Sequence, residues 1–453
     1  CKGNAQIEPI LDGLVVGRIS SYLKEFPIDE DPKQICGNRE FTSYQGCVLR
    51  GGGFLFDDSN EAASPIALRA NIINNDPRYK SILPQIISVD HFYDDIMPEP
   101  KYAVYFSNWE REIAEKWPLA FDILANKVQD YRSSLTAKSA TGQASEKWWQ
   151  FNYPSSKLHE FLEKNGSIFC IAKTSSTFAL SKVESGNIIS QSLIGFTTSN
   201  WRAFSFLQSR THEIWTRFFS SSLEDRQRYT PSDCFDTYPF PPDWEMSVSL
   251  ETAGREYYEY RAALMVRNGE GLTKTYNRFH NPSETSTGLL ELRSLHSEMD
   301  RAVLEAYGWS DVLQVGPCNR SCGFGLDSID PDEEAEFPDE LEELIASGEL
   351  FFWEADEACI FEAQLRATGA VPGKKKLPWR YRWPDAVRDD VLARLLALNA
   401  ERYQEEVDQG LHGGGRRGGG GSPGGSGTGR RRGRPPKTPP PESGQTAQIG
   451  LAL

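Results

Sequence analysis

The chain has 453 residues, of which 39% are hydrophobic and 25% charged. That length allows two or three domains with at least one sizeable core, and no apolar run of about 18 residues suggests a membrane span. Eight cysteines are too scattered for a disulfide scaffold, and the lack of a charged-then-apolar leader points to the cytoplasm. The first residue is Cys1 rather than Met, the expected mark of a fragment or split chain.

The formal net charge of -15 is uneven. Residues 323–363 hold fifteen Asp or Glu and no Lys or Arg. Residues 413–453 hold seven Lys or Arg against the single Glu442. A basic tail on an acidic body hints at a polyanionic ligand.

In chain order, residues 1–90 read as mixed structure, with strands near 19–23 and 45–56 around Gly51, Gly52 and Gly53. Residues 109–132 read as one helix, with Ile113, Trp117, Phe121, Leu124 and Val128 at helical spacing. Three strands are expected at 167–172, 177–183 and 188–196, then a helix over 201–220. Residues 228–242 contain four prolines and are expected to be extended and aromatic. Amphipathic helices are expected at 250–266, 288–307 and 391–407. Residues 317–339 read as a linker, and the Gly, Pro, Ser and Arg composition beyond Leu411 predicts disorder.

Motifs for chemistry are mostly absent. The nearest approach to an amino-methyltransferase loop is Phe240-Pro241-Pro242-Asp243, with the wrong first and last residues. No Gly-rich turn joins a strand to a helix as a cofactor fold requires, and Cys322-Gly323-Phe324-Gly325 reads as a flexible loop. Cys318 and Cys322 lack a second metal-binding pair. His212 and His296 read as partly buried helix residues.

The sharpest short motif is Gly429-Arg430-Arg431-Arg432-Gly433-Arg434-Pro435-Pro436-Lys437, which looks like an AT-hook. Gly433 would let an extended backbone enter a narrow minor groove. Arg432 and Arg434 would lie along its negative potential, and Pro435 would stiffen the extended form. The same residues also read as a low-complexity basic tail with general phosphate affinity.

A longer series lies in the middle. It comprises Glu146-Lys147-Trp148-Trp149-Gln150-Phe151, the three strands, Arg228-Tyr229-Thr230-Pro231-Ser232-Asp233-Cys234-Phe235-Asp236-Thr237-Tyr238-Pro239-Phe240-Pro241, Gly271 to Asn277 as a loop, and Leu292-Arg293 to Met299-Asp300. With Val16 to Leu23 and Leu395 to Arg402, it resembles the C-terminal half of large bacterial adenine-specific DNA methylases of single-chain restriction–modification type. The resemblance spans roughly residues 10 to 410, and departs from the family at Ser88 to Asp95.

That resemblance implies an α+β chain: a mixed β/α target recognition domain, a helical C-terminal region and a disordered basic tail. The expected divisions are 1–90, a mixed segment bordering or opening the recognition domain; 91–242, the recognition domain; 243–317, helical; 318–412, acidic linker and C-terminal helices; and 413–453, tail. It implies double-stranded DNA as partner. It also implies a catalytic methyltransferase domain, upstream or on another chain, that uses S-adenosylmethionine. A non-catalytic specificity subunit and an acidic interaction scaffold are the alternatives. Residues 145–230 carry ten Lys or Arg against seven acids. Lys147, Lys173, Lys182, Arg202, Arg226 and Arg228 are candidate DNA contacts there, though each taken singly also fits ordinary surface charge. Trp148, Trp149 and Phe151 fit core packing better than DNA contact, and Tyr238 and Phe240 are expected to pin the module to the helices that follow.

Overall fold

The computed structural model describes residues 10–11, 14–15, 32–36, 41–94, 98–134, 146–223, 226–312, 322–326, 341, 343–344, 350–371 and 377–412, with backbone alone at 10–11, 14–15, 221–223 and 226–227. The fold is α+β, as expected. The tail, with Arg432, Gly433, Arg434 and Pro435, lies outside the described residues.

In chain order the strands are β1 (Ile10–Leu11), β2 (Leu14–Val15), β3 (Ser43–Gln45), β4 (Leu55–Phe56), β5 (Gln85–Ile87), β6 (Tyr102–Ala103), β7 (Ser167–Ala172), β8 (Thr174–Ser175), β9 (Leu180–Glu184), β10 (Asn187–Ile189), β11 (Leu193–Phe196), β12 (Ser221–Leu223), β13 (Arg226–Arg228), β14 (Gly323–Leu326), β15 (Phe351–Phe352) and β16 (Trp379–Arg382). The longer helices are α1 (Ile66–Asn75), α2 (Pro118–Leu124), α3 (Ser156–Asn165), α4 (Trp201–Gln208), α5 (Arg210–Phe219), α6 (Val248–Asn268), α7 (Leu272–Phe279), α8 (Thr287–Ala306), α9 (Ala355–Ala367) and α10 (Asp385–Asp408).

The central sheet has the order β3-β11-β7-β9, all antiparallel. Every residue of β7 is buried, because both faces are covered. Ile168 and Cys170 meet Leu158 and Leu162 of α3 on one face. Phe169 and Ile171 join Phe204, Phe206 and Trp215 of the helices on the other. Each buried Phe there stabilises the fold by about 2–3 kcal/mol. A second sheet, β10-β5-β6-β4, pairs β10 with β5 in parallel and joins strands on both sides of residue 90. Its core takes in Phe54, Phe56, Leu124, Trp148, Trp149 and Phe151, so the tryptophan pair packs inside the protein as expected.

The helix expected at 109–132 is interrupted. Arg111–Ala114 ends, and Pro118 restarts the chain as the first residue of α2, where its missing N–H costs nothing. The single helix expected at 201–220 is two. Ser209 is extended between them, and the buried Asp300 carboxylate accepts the Arg210 N–H at 2.8 Å to start α5. Within the proline-rich segment, Pro231–Phe235 forms one wide helical turn rather than extended chain. Tyr238 and Phe240 are buried in the main core beside α5, as expected.

Residues 271–277 were expected to be a loop, but Leu272 begins α7. Gly271 is required for closeness rather than flexibility, since a Cβ there would lie 2.3 Å from the Asp94 carbonyl oxygen. The expected flexible loop Cys322-Gly323-Phe324-Gly325, within the expected linker, is instead largely β14, the middle strand of β15-β14-β16. The rest of that linker lies outside the described residues.

Candidate nucleic-acid interface

Strands β12 and β13 form a hairpin, and β13 pairs on its other edge with β8, giving a three-stranded ribbon. The register sets Arg228 opposite Thr174, next to Lys173. The Lys173 carbonyl accepts the Tyr229 N–H at 2.8 Å, and the Lys173 N–H donates to the Ser192 carbonyl at 2.8 Å. Tyr229 is buried and anchors this corner, its hydroxyl 3.3 Å from His212 Nε2. Arg228, one residue earlier, is exposed.

Two cations are thereby held side by side. Partial burial first, then the neighbouring Arg228 guanidinium, lowers the Lys173 pKa below its ordinary value. Neither side chain has a carboxylate partner among the described residues. Like charges placed together without an acid are unfavourable alone and favourable beside a polyanion. Arg226 begins β13, where its backbone pairs with Leu223.

The other three candidates sit differently. Lys147 Nζ meets Glu110 at 2.6 Å, and Lys182 Nζ meets Glu184 at 2.8 Å. Arg202 holds the fold: it meets Glu251 at 2.5 Å and donates from Nε to the Ser247 carbonyl at 3.0 Å, tying α4 to the start of α6. Thus the ribbon gathers Lys173, Arg226 and Arg228, and the structure does not bring Lys147, Lys182 or Arg202 to it through any described contact.

A buried cation ties the helices to the central sheet. Arg261 of α6 is buried; it donates to the Leu180 carbonyl on β9, to Gln208 Oε1 at 3.3 Å and to the Tyr276 hydroxyl at 3.0 Å. The sequence showed Arg261 only as one more charge on a helix. A cavity of about 290 Å³ lies near α5 and α10, lined by Arg210, Glu213, Arg217, His280 and Arg388 among others. Two of its arginines face acids: Arg217 meets Glu213 at 2.9 Å, and Arg388 meets Asp385 at 2.9 Å. Burial, with Arg380, Arg210 and Arg217 nearby, drives the His280 pKa well below its ordinary value.

Residues 48–242, which contain the ribbon and all six candidate cations of the body, match the family model of the MmeI target recognition domain. This segment is a target recognition domain. The resemblance read from residues 146–151 and 228–241 agrees with that assignment. Among solved structures, the chain is similar to the type IIL restriction–modification enzyme MmeI, described in complex with DNA. The TM-score is 0.51 at 22% identity, covering 67% of this chain and 37% of that one, so the match spans well under half of the solved enzyme. No curated protein matches the chain. No helix among the described residues is long and apolar enough to cross a membrane.

Proposed function

We propose that this chain is the DNA-reading portion of a restriction–modification enzyme, and that its recognition domain docks on double-stranded DNA through the β8–β13–β12 ribbon. The observation that carries the proposal is the match of residues 48–242 to a target recognition domain. The Lys173–Arg228 pair, which has no carboxylate partner among the described residues, supports the choice of docking surface. A two-stranded β-ribbon such as the β12–β13 hairpin at the edge of that surface fits the major groove, where base edges differ most, while the adjacent cations hold phosphates and fix register. Buried Tyr229 and its N–H bond to the Lys173 carbonyl anchor the ribbon at that corner, so the DNA meets a preorganised surface.

In this reading the whole enzyme methylates adenine, using S-adenosylmethionine bound by a separate catalytic domain. The recognition domain helps hold the target base once it is flipped from the stack. The tail of residues 413–453 adds electrostatic hold, with A·T bias if Arg432-Gly433-Arg434-Pro435 acts as an AT-hook. The setting would be the cytoplasm.

Selection of a random duplex library on the purified chain, followed by sequencing, tests the proposal. A short enriched motif is the expected outcome. Failure to retain any duplex, even at low salt, would overturn it.

A further inference from the structure

We propose that Cys36, Glu406 and His412 form a zinc site that fastens residues 32–36 to the C-terminal end of α10. This goes beyond DNA reading and does not depend on it.

The geometry starts from Asn399 on α10. Its side chain accepts the Lys33 N–H at 2.9 Å and donates to the Lys33 carbonyl at 2.8 Å and the Thr237 carbonyl at 2.6 Å. The Ile35 N–H donates to the Asp236 carbonyl at 3.0 Å. These bonds deliver Cys36 to the position two helical turns beyond Asn399, where Glu406 shares the buried face. The Cys36 N–H donates to Glu406 Oε1 at 2.7 Å and Oε2 at 2.9 Å, fixing the carboxylate. Beyond Asp408 the chain turns back at Gly410, whose φ is 76°, and the Leu411 N–H bonds the Glu406 carbonyl at 2.9 Å. His412 therefore folds onto Tyr403, with ring centroids 4.5 Å apart, and points Nε2 at the same carboxylate.

The three ligand atoms make a small triangle. Cys36 Sγ lies 3.4 Å from Glu406 Oε2 and 3.7 Å from His412 Nε2, and Nε2 lies 2.5 Å from Oε2. Tetrahedral zinc with ordinary Zn–S, Zn–N and Zn–O lengths requires edges of about 3.3–3.6 Å. The Sγ–Oε2 edge already fits, and the Sγ–Nε2 edge is long by only about 0.1 Å. The third is a hydrogen bond that opens by under about 1 Å when the metal replaces its proton. Binding releases the thiol proton, and His412 coordinates through Nε2 as the tautomer that carries its hydrogen on Nδ1, leaving thiolate, neutral imidazole and carboxylate on the ion. Cys36 and His412 are exposed, so a metal can enter and a water can complete the fourth position. A thiolate–imidazole–carboxylate set selects zinc over magnesium or calcium. The N–H bonds from Cys36 to Glu406 act as outer-shell support.

The test uses the full chain, reduced and stripped with a chelator, and titrated with cobalt(II) and then zinc. One equivalent of cobalt should give the thiolate-to-metal charge-transfer band, and zinc should displace it. Cys36→Ser should remove the band, and His412→Ala should weaken affinity by more than about 100-fold, beyond the loss typical of outer-shell changes. Cys359→Ser should leave the band intact, since Cys359 lies outside the cluster. Circular dichroism checks that each variant is folded, and the exposed His412 gives a variant that spares the core. No band at stoichiometric cobalt, or a band that survives Cys36→Ser, would overturn the proposal.

Discussion

Replacing Lys173 and Arg228 together by glutamine removes two adjacent cations that have no acid partner among the described residues. If both touch phosphates, each contributes about 0.9 to the slope of log affinity against log salt. The double variant should then lose about 1.8 from that slope. Between about 50 and 200 mM salt, wild-type affinity should fall about 12-fold more than that of the variant. Fluorescence anisotropy with a labelled duplex across that range reads both numbers, and repeating it without residues 413–453 removes the competing charge of the tail. Arg202→Gln is the matched control. It deletes one cation from the same domain, but one engaged with Glu251 and the Ser247 carbonyl, so it should lower thermal stability and leave the slope in place. A folded double variant with the wild-type slope, or an Arg202→Gln slope that falls equally, would refute assignment of the contact to the ribbon.

Removing residues 413–453 should weaken duplex affinity and flatten its salt dependence without moving the unfolding midpoint; an unchanged slope would exclude the tail from phosphate binding. Gly254→Ala should cost about 1–3 kcal/mol in urea unfolding, because the new Cβ would sit 2.3 Å from Ser205 Oγ and 2.6 Å from the Trp201 carbonyl oxygen where α4 crosses α6. A midpoint equal to wild type would show that the helices can separate freely. Acid should destabilise the fold through His159 and His212, whose pKa values burial depresses to about 4. Their unfolded value is about 6.5, so the unfolded chain binds more protons between the two values. Stability is therefore full above about pH 6.5 and declines by about 3 kcal/mol per histidine as pH falls to about 4. The Ile189 N–H donates to His159 Nε2 at 3.0 Å, so protonation there also releases β10. Chevron or urea series at stepped pH read this, and a His159→Gln variant should lose part of the slope.

Where apolar residues recur at helical spacing and nothing interrupts them, the sequence was sufficient: Val248–Asn268, Thr287–Ala306 and Asp385–Asp408 all enclose or extend the expected helices. Of the three strands expected in the recognition domain, 167–172 is β7 and 177–183 overlaps β9, but 188–196 is two strands in different sheets, β10 and β11, and the ribbon strands β8, β12 and β13 were not foreseen. Glycine misled the reading twice. Gly323 reads locally as a flexible link, yet a Cβ there would lie 2.5 Å from the Phe352 carbonyl oxygen on the next strand. Gly271 repeats the lesson against Asp94. Both demands come from residues distant in the chain, which no local pattern contains. The candidate cations were divided by the same kind of information. Arg202 differs from Lys173 only through Glu251, which is 49 positions away in sequence and adjacent in space. Cys36, Glu406 and His412 gave no spacing signal, because some 370 residues separate Cys36 from the other two.

The pairing of β3 with β11, and of β5 with β10, bears on anyone who would transplant this module to give another enzyme a new specificity. A cassette cut at residue 91 would carry β10 and β6 into the host and leave β5 and β4 behind, so each orphaned edge would have to find a foreign backbone. Cutting at residue 48 rescues that sheet but strands β11 without β3. The smallest exchangeable piece that travels with its own edges begins ahead of Ser43, upstream of residue 48, where the match to the recognition-domain family begins.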